Sequence, residues 1–449
     1  MTRHWLVPLY LLACLLLGGA SAAGFIPNLL LQLAALPIAG WALWQLNQPG
    51  PPMSRSIRAL LALAALLVGV ALVQLIPLPP GLWTLLPGRA PVVEGYRLLG
   101  IALPWLPLTL APDAALASLL WLLPALAVLL ATVVLGAFRG RIIAAVLVAV
   151  TLVAVLIGAL QVIGGDTAYL YDVTNHGVAV GFFANANHNA TLLLVCIPFL
   201  AALQGTLLKR RSSPRSASAI RLLVAAGYAV ILVGLLINGS LAGVGLGVPV
   251  VLATWLAFGR LRPSMKRGLA IVSVLLSVGA VGFIAFDPGN NLFGIQRDHV
   301  ELSRQTSFRL TLGATGQYFP VGSGVGSFQP VYRTQEPLAT VGTTYMNHAH
   351  SDWLELLLET GVAGILLAAA FLAWWGLRVR AIWRAEEPDR FAQAAAVATA
   401  AIMLHSIVDY PLRTAALSAV FAMCLGLMAG ARSYVPRSRA ASSARHLNL

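Results

Sequence analysis

The sequence predicts an all-α, polytopic integral membrane protein with about twelve transmembrane helices. Of the 449 residues, 59% are hydrophobic and only 10% are charged. Apolar runs of about 20 residues recur along the chain, which matches the thickness of a bilayer core. Backbone groups in lipid must be hydrogen-bonded within the chain, so each run is predicted to be a helix. A transmembrane barrel is excluded because runs such as Ile142–Ile163 do not alternate between apolar and polar residues.

The predicted spans divide the chain into one membrane domain over residues 1–431 and a disordered cytoplasmic tail over 432–449. Met1–Ala23 also resembles a cleaved signal peptide, with Arg3 before an apolar stretch. Retaining it as a span gives an even number of spans and a consistent charge pattern. The twelve spans are 5–22, 25–45, 58–77, 114–137, 142–163, 188–207, 221–238, 241–258, 268–286, 354–377, 391–409 and 413–431.

The formal net charge of +14 is distributed unevenly between the two sides of these spans. With the N-terminus inside, 22 of the 29 Lys and Arg residues lie in cytoplasmic segments, whereas 12 of the 15 Asp and Glu residues lie outside. A cytoplasmic excess of basic residues is the usual determinant of orientation. The charge therefore indicates membrane orientation rather than nucleic-acid binding, and both termini are predicted to be cytoplasmic.

The longest outward segment, residues 287–352, lies between spans nine and ten and is too long to be a passive connector. A helix is predicted within Gln296–Gln317, where Arg297 and Arg304 share a face with Glu301. The sequence supports two interpretations of these arginines equally, namely that they pair with Glu301 or that they bind an anion.

Arg309 differs because no acidic residue lies three or four positions away. Its planar guanidinium is therefore freer to bind an anion such as phosphate. Arg333 is expected to pair with Glu336, which lowers its functional weight.

Glycines alternate in the run Gly322-Ser323-Gly324-Val325-Gly326. The run has neither the Gly-Lys-Ser/Thr ending of a phosphate loop nor the strand–helix context of a dinucleotide fold. A sharp bend with close backbone packing is the favoured interpretation, and contact of its amides with a phosphate or sugar is the alternative.

Two histidines and three carboxylates crowd into the stretch 347–361. A helix that begins near Ser351 places the carboxylates at i, i+3 and i+7 along one stripe. The histidines lie just before its first turn. These five residues are His348, His350, Asp352, Glu355 and Glu359.

Three interpretations of this stretch are open. With Asp352 close by, either histidine can be held in one tautomer and serve as a base. A polar helix cap with interfacial histidines is the structural alternative. His348-x-His350 could also bind a metal, but the spacing offers no obvious third ligand.

Two smaller polar groups face the same side. Asn185, Asn187 and His188 enter the sixth span, where they could bind sugar hydroxyls or hold a loop. His405 and Asp409 are spaced i, i+4 near the outer end of the eleventh span. A helix-stabilising pair is a sufficient explanation for them. A functional role stays open, because placing charge within a span is energetically costly.

Together these pieces resemble the O-antigen ligase and polymerase superfamily. The resemblance covers about residues 180–415, while the first five spans match only in hydropathy. The motifs are Phe183-Ala184-Asn185-x-Asn187-His188, Arg309, Pro320 with Gly322-x-Gly324-x-Gly326-Ser327-Phe328, His350-Ser351-x-x-Leu354 through Glu359-x-Gly361-x-x-Gly364, and His405-Ser406-x-x-Asp409-Tyr410-Pro411.

The resemblance implies a GT-C-like helical fold in the bacterial inner membrane, with a periplasmic active site. The implied donor is an undecaprenyl-diphosphate-linked glycan, and the acceptor is a hydroxyl of a lipid A core sugar or a growing polysaccharide. No metal, cofactor or nucleic acid takes part. Besides the substrates, only membrane lipids are expected as partners.

The resemblance also assigns roles to the residues. His350 is the implied catalytic histidine, which activates or orients the acceptor. Arg309, with Arg304 and Arg297, would hold the diphosphate. Substrate binding or support is expected of the remaining polar residues, which are His348, Asn185, Asn187, His188, Glu359, His405 and Asp409.

Two positions depart from the family pattern. Ala186 and Leu241 stand where many members carry an arginine, and Arg304 or Arg297 is the candidate for compensation. Ligase, polymerase and protein O-oligosaccharyltransferase share these motifs, so all three reactions stay open. A non-catalytic transporter of lipid-linked glycan is the alternative from another class, and it predicts charges spread along several spans.

Overall fold

The computed structural model describes residues 2–22, 24–50, 52–209, 213–259, 261–285, 304–338, 341 and 345–431. Within these residues the chain forms sixteen α-helices. In chain order they are α1 (Leu6–Leu17), α2 (Ile26–Leu46), α3 (Arg55–Val73), α4 (Pro80–Trp83), α5 (Ala90–Leu98), α6 (Pro112–Val133), α7 (Gly140–Gly164), α8 (Ala186–Lys209), α9 (Pro214–Asn238), α10 (Leu241–Phe258), α11 (Pro263–Ala285), α12 (Arg304–Tyr318), α13 (Phe328–Gln335), α14 (Asp352–Arg384), α15 (Arg390–His405) and α16 (Ala415–Gly430).

Every predicted span overlaps one of these helices, which confirms a helical polytopic membrane protein. Nine of the described helices are long and apolar enough to cross a membrane. The other three predicted spans coincide with the shorter helices α1, α15 and α16, of 12, 16 and 16 residues. Twelve crossings and a GT-C-like arrangement stay predictions. The predicted tail at 432–449 lies outside the described residues.

Helices α8, α15 and α16 form the centre of the bundle. Small side chains allow helices to approach closely, and α15 presents four fully buried alanines to its neighbours. These are Ala394, Ala395, Ala396 and Ala398. The short helices α15 and α16 are therefore internal, together with the longer α8.

The segments predicted to face outward meet at one end of the bundle. The side chain of Gln74, after α3, donates to the backbone oxygen of Glu359 at 3.1 Å. Ser240, between α9 and α10, donates to Asn187 Oδ1 at 2.7 Å. Contacts between segments so distant in sequence agree with the alternation that the charge pattern predicts.

The segments predicted to be cytoplasmic meet at the opposite end. Trp374 Nε1, near the far end of α14, donates to the backbone oxygen of Ser56 at 3.1 Å. Arg378 is buried there and donates to the backbone oxygen of Met428. Which end faces the cytoplasm still rests on the distribution of basic residues.

The outward segment between α3 and α6 carries the chain's small β-structure. Pro77–Leu78 and Leu106–Pro107 form an antiparallel pair, the single departure from an all-α fold within the described ranges. The end of this segment covers the glycine run. Leu110 N donates to Ser323 O at 3.0 Å, and Thr109 Oγ1 donates to Val325 O at 3.0 Å.

Helix α14 begins where the sequence predicts and is sharply bent nine residues later. Ser351 caps it, since its hydroxyl accepts the N–H of Leu354 at 3.2 Å. Gly361 adopts φ 56° and ψ −133°, a conformation open to glycine. At this bend Val362 N donates to Pro320 O at 2.9 Å. A short outer helical segment is therefore set at an angle to the long apolar part of α14.

Candidate functional site

The ring of Tyr410 lies among three histidines at the end of the bundle where the segments predicted to face outward meet. This end is called the outer end below. Its centroid is 5.0 Å from that of His188, 4.7 Å from that of His348 and 4.9 Å from that of His350. Its hydroxyl hydrogen-bonds with Asn347, at 3.4 Å. Burial, followed by the nearby Asp409 charge, raises the pKa of this phenol, so it stays neutral. Tyr410 thus brings together histidines from α8 and from the loop before α14.

Asp409 faces two of these histidines with one oxygen. Its Oδ1 lies 3.8 Å from His350 Nδ1 and 3.9 Å from His188 Nε2. The same oxygen accepts the N–H of Tyr410 at 2.8 Å, which fixes the carboxylate. Asp409 is fully buried, whereas the His350 side chain is 23% exposed. A buried acid therefore lies behind a histidine that is partly exposed at this end of the bundle.

His350 has a left-handed backbone. Its φ of 52° is positive, which is true of no other described residue except glycines. For a residue with a side chain this conformation costs about 1–2 kcal/mol. Contacts on both sides hold it, since Ser307 Oγ donates to Ala349 O at 3.2 Å and Asp352 N donates to Ser406 O at 2.9 Å. Such over-determined strain is typical of functional sites.

Asp352 is not the partner of either histidine, which agrees with the interpretation of this carboxylate as support for the helix. It accepts the Ser406 hydroxyl at 2.9 Å and the N–H of Leu412 at 3.2 Å. Asp352 lies in the first turn of α14, where the turn after α15 supplies its hydrogen-bond donors. Asp409 and Glu355 face the histidines instead.

Glu355 is the carboxylate that holds the histidine loop. Its Oε1 lies 3.0 Å from His348 Nδ1, and its Oε2 accepts the N–H of Ala349 at 3.0 Å. The Glu355 side chain is only 2% exposed. One buried carboxylate therefore fixes both the ring of His348 and the backbone directly before His350.

Arg413 is a residue of the site that the sequence analysis does not single out. Its guanidinium lies 3.5 Å from Asp352, 3.3 Å from Glu355 and 3.7 Å from Glu359. The predicted stripe of three carboxylates on one helix face is thus confirmed, and its counterion comes from the turn after α15. Three carboxylates on one helix face next to an apolar span need a nearby cation, and their helical spacing was the available signal.

The glycine run is a tight bend packed against α14. Gly322, Gly324 and Gly326 have φ of 88°, 99° and 81°. A Cβ on Gly324 would lie 2.1 Å from the Cα of Thr109. The favoured interpretation, close backbone packing, is confirmed.

The amides of this bend are occupied within the protein. Gly324 N donates to the backbone oxygen of Glu359 at 2.9 Å, and Gly326 N donates to its carboxylate at 2.8 Å. Val325 N donates to Gln74 Oε1 at 2.8 Å. The alternative in which these amides bind a phosphate is therefore wrong for Gly324, Val325 and Gly326 in this structure.

The predicted diphosphate arginines lie on or before α12. Arg309 is exposed, and among the described residues none forms an ion pair with it. Helix α12 reaches the histidine loop through Ser307, and at about 100° per residue Arg309 points about 200° away from that contact. Arg297, Glu301 and the side chain of Arg304 lie outside the described residues.

Arg333 does not make its expected contact. Its guanidinium lies over the ring of Tyr345, 5.3 Å from the centroid. An ion pair with Glu336 is absent from the described part of the chain. Arg333 therefore contacts an aromatic ring instead of the carboxylate that the sequence predicts.

Asn185 and Asn187 hold the entry to α8. Asn185 Oδ1 accepts the N–H of Asn187 at 2.8 Å, and Asn187 Oδ1 accepts the Ser240 hydroxyl. Asn238 Nδ2 donates to Ala186 O at 2.8 Å. The two positions that depart from the family pattern, Ala186 and Leu241, thus adjoin one junction between α8 and the α9–α10 turn. Holding a loop is the role that this geometry supports for the two asparagines.

His405 is bound farther inside the bundle. Its Nδ1 lies 2.8 Å from the hydroxyl of Thr191 on α8, and the side chain is fully buried. The backbone N–H of Asp409 donates to His405 O at 2.9 Å, as the predicted helical spacing requires. His405 therefore links α15 to α8 beneath the site. Among the described residues, no three His, Cys, Asp or Glu side chains are grouped so that they could hold a metal ion.

Comparison with known proteins identifies one family. A family model described as O-antigen ligase matches residues 226–369, which include α12, the glycine run and His350. The match confirms the resemblance drawn from the motifs, and it supports a membrane enzyme of the O-antigen ligase and polymerase type. No curated protein matches the chain.

Proposed function

We propose, from the O-antigen ligase match over residues 226–369, that this protein transfers a glycan from undecaprenyl diphosphate to an acceptor hydroxyl. The reaction takes place on the periplasmic face of the bacterial inner membrane. The observation that carries the proposal is the pair of His350 and Asp409. A partly exposed imidazole at the outer end of the bundle has a fully buried carboxylate 3.8 Å behind its Nδ1.

His350 acts as the base in this reaction. In this role Nδ1 faces Asp409, and Nε2 accepts the proton of the acceptor hydroxyl. The hydroxyl oxygen then forms the new bond to the anomeric carbon of the glycan, while the bond from that carbon to the diphosphate breaks. The carboxylate stabilises the resulting imidazolium. General-base catalysis of this kind contributes about 10²–10⁴-fold.

The departing diphosphate requires positive charge. Stabilising developing negative charge is usually the largest catalytic contribution. Arg309 is the candidate that the sequence offers, since it is exposed and forms no ion pair with a described residue, but it lies on the face of α12 away from Ser307 and the histidine loop. Arg304 and Arg297 are the further candidates, and no metal is invoked.

The distribution of charge favours a transferase over a transporter of lipid-linked glycan. Charged residues of the site gather at one end of the bundle, around Tyr410 and Arg413. A conduction path would need polar groups along the length of several spans. Surface chemistry is therefore the better account of these residues.

The deciding experiment compares variants in a strain that lacks the protein. Wild-type, His350→Ala and Asp409→Asn proteins are expressed at matched levels, and surface glycan is resolved by gel. His176→Ala is the matched control, since His176 Nδ1 lies 2.9 Å from Asp166 but belongs to an exposed pair away from Tyr410. We expect both site variants to lose the long-chain product and the control to retain it. Normal banding from His350→Ala would overturn the proposal.

The same strain identifies the acceptor, which we propose to be a lipid A core sugar. Loss of long chains attached to lipid A core in the null strain identifies a ligase. Single units that persist without a ladder identify a polymerase instead.

A further inference from the structure

A second histidine–carboxylate pair lies beside the first. His348 Nδ1 is 3.0 Å from Glu355 Oε1, whereas His350 Nδ1 is 3.8 Å from Asp409 Oδ1. Both imidazoles flank the ring of Tyr410, with centroids less than 5 Å from its centre. The His348–Glu355 pair, which the family pattern does not single out, therefore has the shorter distance between nitrogen and oxygen.

The His348 pair is built like an acid–base group rather than a surface contact. Glu355 is 2% exposed, and its second oxygen is bound by Ala349 N, so the carboxylate cannot rotate away. The His348 side chain is 17% exposed at the same outer end as His350. With Nδ1–H held by Glu355, Nε2 is the atom left for a substrate.

The proton balance of the proposed reaction calls for a group that donates a proton to the departing diphosphate. The acceptor hydroxyl loses a proton to His350, and the diphosphate leaves with the electron pair of the broken bond. The overall reaction is neutral in protons only if the diphosphate oxygen gains one. A second titratable group on the same rim completes this balance.

We propose that His348 is a second catalytic residue, the acid that protonates the departing diphosphate while His350 takes the proton of the acceptor. The inference rests on the proposed glycan transfer. His348 starts as an imidazolium, with Nδ1–H on Glu355 and Nε2–H towards the diphosphate oxygen. It ends neutral, and His350 ends as an imidazolium. Loss of one proton from His350 to water and gain of one by His348 restore the starting state.

The groups around His348 determine how the rate should respond to pH. Glu355 Oε1 lies 3.0 Å from His348 Nδ1, and Arg413 lies 3.3 Å from the same Glu355 oxygen. The titratable or charged groups that face His348 are Glu355 and Glu359 on α14, His188 on α8, and Tyr410 and Arg413 in the turn after α15. Because the acid must be protonated, the rate should fall as pH rises. Because the base must be neutral, the rate should also fall as pH drops.

The test measures initial rates across pH with the full-length protein in detergent. Membranes of the null strain supply the native donor and acceptor. Wild type should give a bell-shaped profile. His348→Gln should lose about 10²–10⁴-fold in rate and should no longer fall on the alkaline side. Glu355→Gln should also be slower than wild type, because it removes the carboxylate that holds the His348 ring. His176→Ala is again the control.

Further variants keep the test decisive. His348→Gln/Glu355→Gln should show the same pH profile as His348→Gln alone, since the pair acts as a unit in proton transfer. Thermal unfolding checks that each variant is folded. A wild-type alkaline limb in folded His348→Gln would overturn the inference. If His350→Ala is inactive while His348→Gln is normal, only this inference fails, whereas an active His350→Ala removes the proposed transfer itself.

Discussion

One oxygen of the Glu359 carboxylate accepts the backbone N–H of Gly326 at 2.8 Å, and the other lies 3.7 Å from Arg413. This carboxylate therefore joins the glycine run to the ionic cluster beneath the histidines. It sits two residues before the bend at Gly361. The outer segment of α14 is thereby fixed at both of its ends, by Ser351 and by Glu359.

Glu359→Ala should destabilise the protein by about 1–3 kcal/mol, because the buried N–H of Gly326 loses its acceptor. Glu359→Gln should lose less, since its amide oxygen can still accept that bond. Chemical unfolding in detergent measures both. Glu94→Ala, from an exposed pair with Arg97, is the control and should change stability by less than about 0.5 kcal/mol. Equal effects at positions 359 and 94 would contradict the assignment.

Gly361→Ala should prevent the bend in α14. A Cβ there would lie 2.1 Å from Pro320 O, and the backbone conformation alone costs about 1–3 kcal/mol for a residue with a side chain. Gly376→Ala in the same helix is the matched control, because its Cβ would meet nothing within 4 Å. We expect loss of folded protein for the first variant and a normal melting temperature for the second. A Gly361→Ala protein that melts like wild type would show that the bend is not required.

Arg413→Gln should destabilise the protein by about 3–5 kcal/mol, since it leaves the buried Glu355 and Glu359 without their cation. Arg413→Lys should recover only part of this, because one ammonium cannot match the spread of a guanidinium. Arg97→Gln is the control, as its pair with Glu94 is exposed and worth about 0–1 kcal/mol. Thermal melting in detergent distinguishes the three. Equal melting temperatures for Arg413→Gln and Arg97→Gln would show that the ionic cluster does not stabilise the protein.

Arg309→Ala should leave stability within about 0.5 kcal/mol of wild type, because the side chain is exposed. Its effect should appear in transfer, as a loss of surface glycan in the complemented null strain. Arg333→Ala is a suitable comparison, since Arg333 lies over Tyr345 instead of free on the helix surface. Normal glycan from Arg309→Ala would exclude this arginine as a diphosphate ligand.

The sequence by itself determined the helical membrane architecture and the start of α14. These features depend on local information, namely the length of apolar runs, the capping hydroxyl of Ser351 and the helical spacing of Asp352, Glu355 and Glu359. It also indicated that Gly322–Gly326 forms a bend, since alternating glycines suit a backbone that side chains would obstruct. Each of these predictions needs only the neighbours of a residue in the chain.

Only the tertiary structure decided which groups face one another. Asp409, rather than the nearby Asp352, lies behind His350, because the turn after α15 folds over the start of α14. The same turn brings Arg413 to three carboxylates more than fifty positions earlier in the sequence. Such pairings depend on how two helices dock and on their rotation about their axes. Spacing along the chain carries no information about that docking, so the partners of His350 and Arg413 emerged only from the fold.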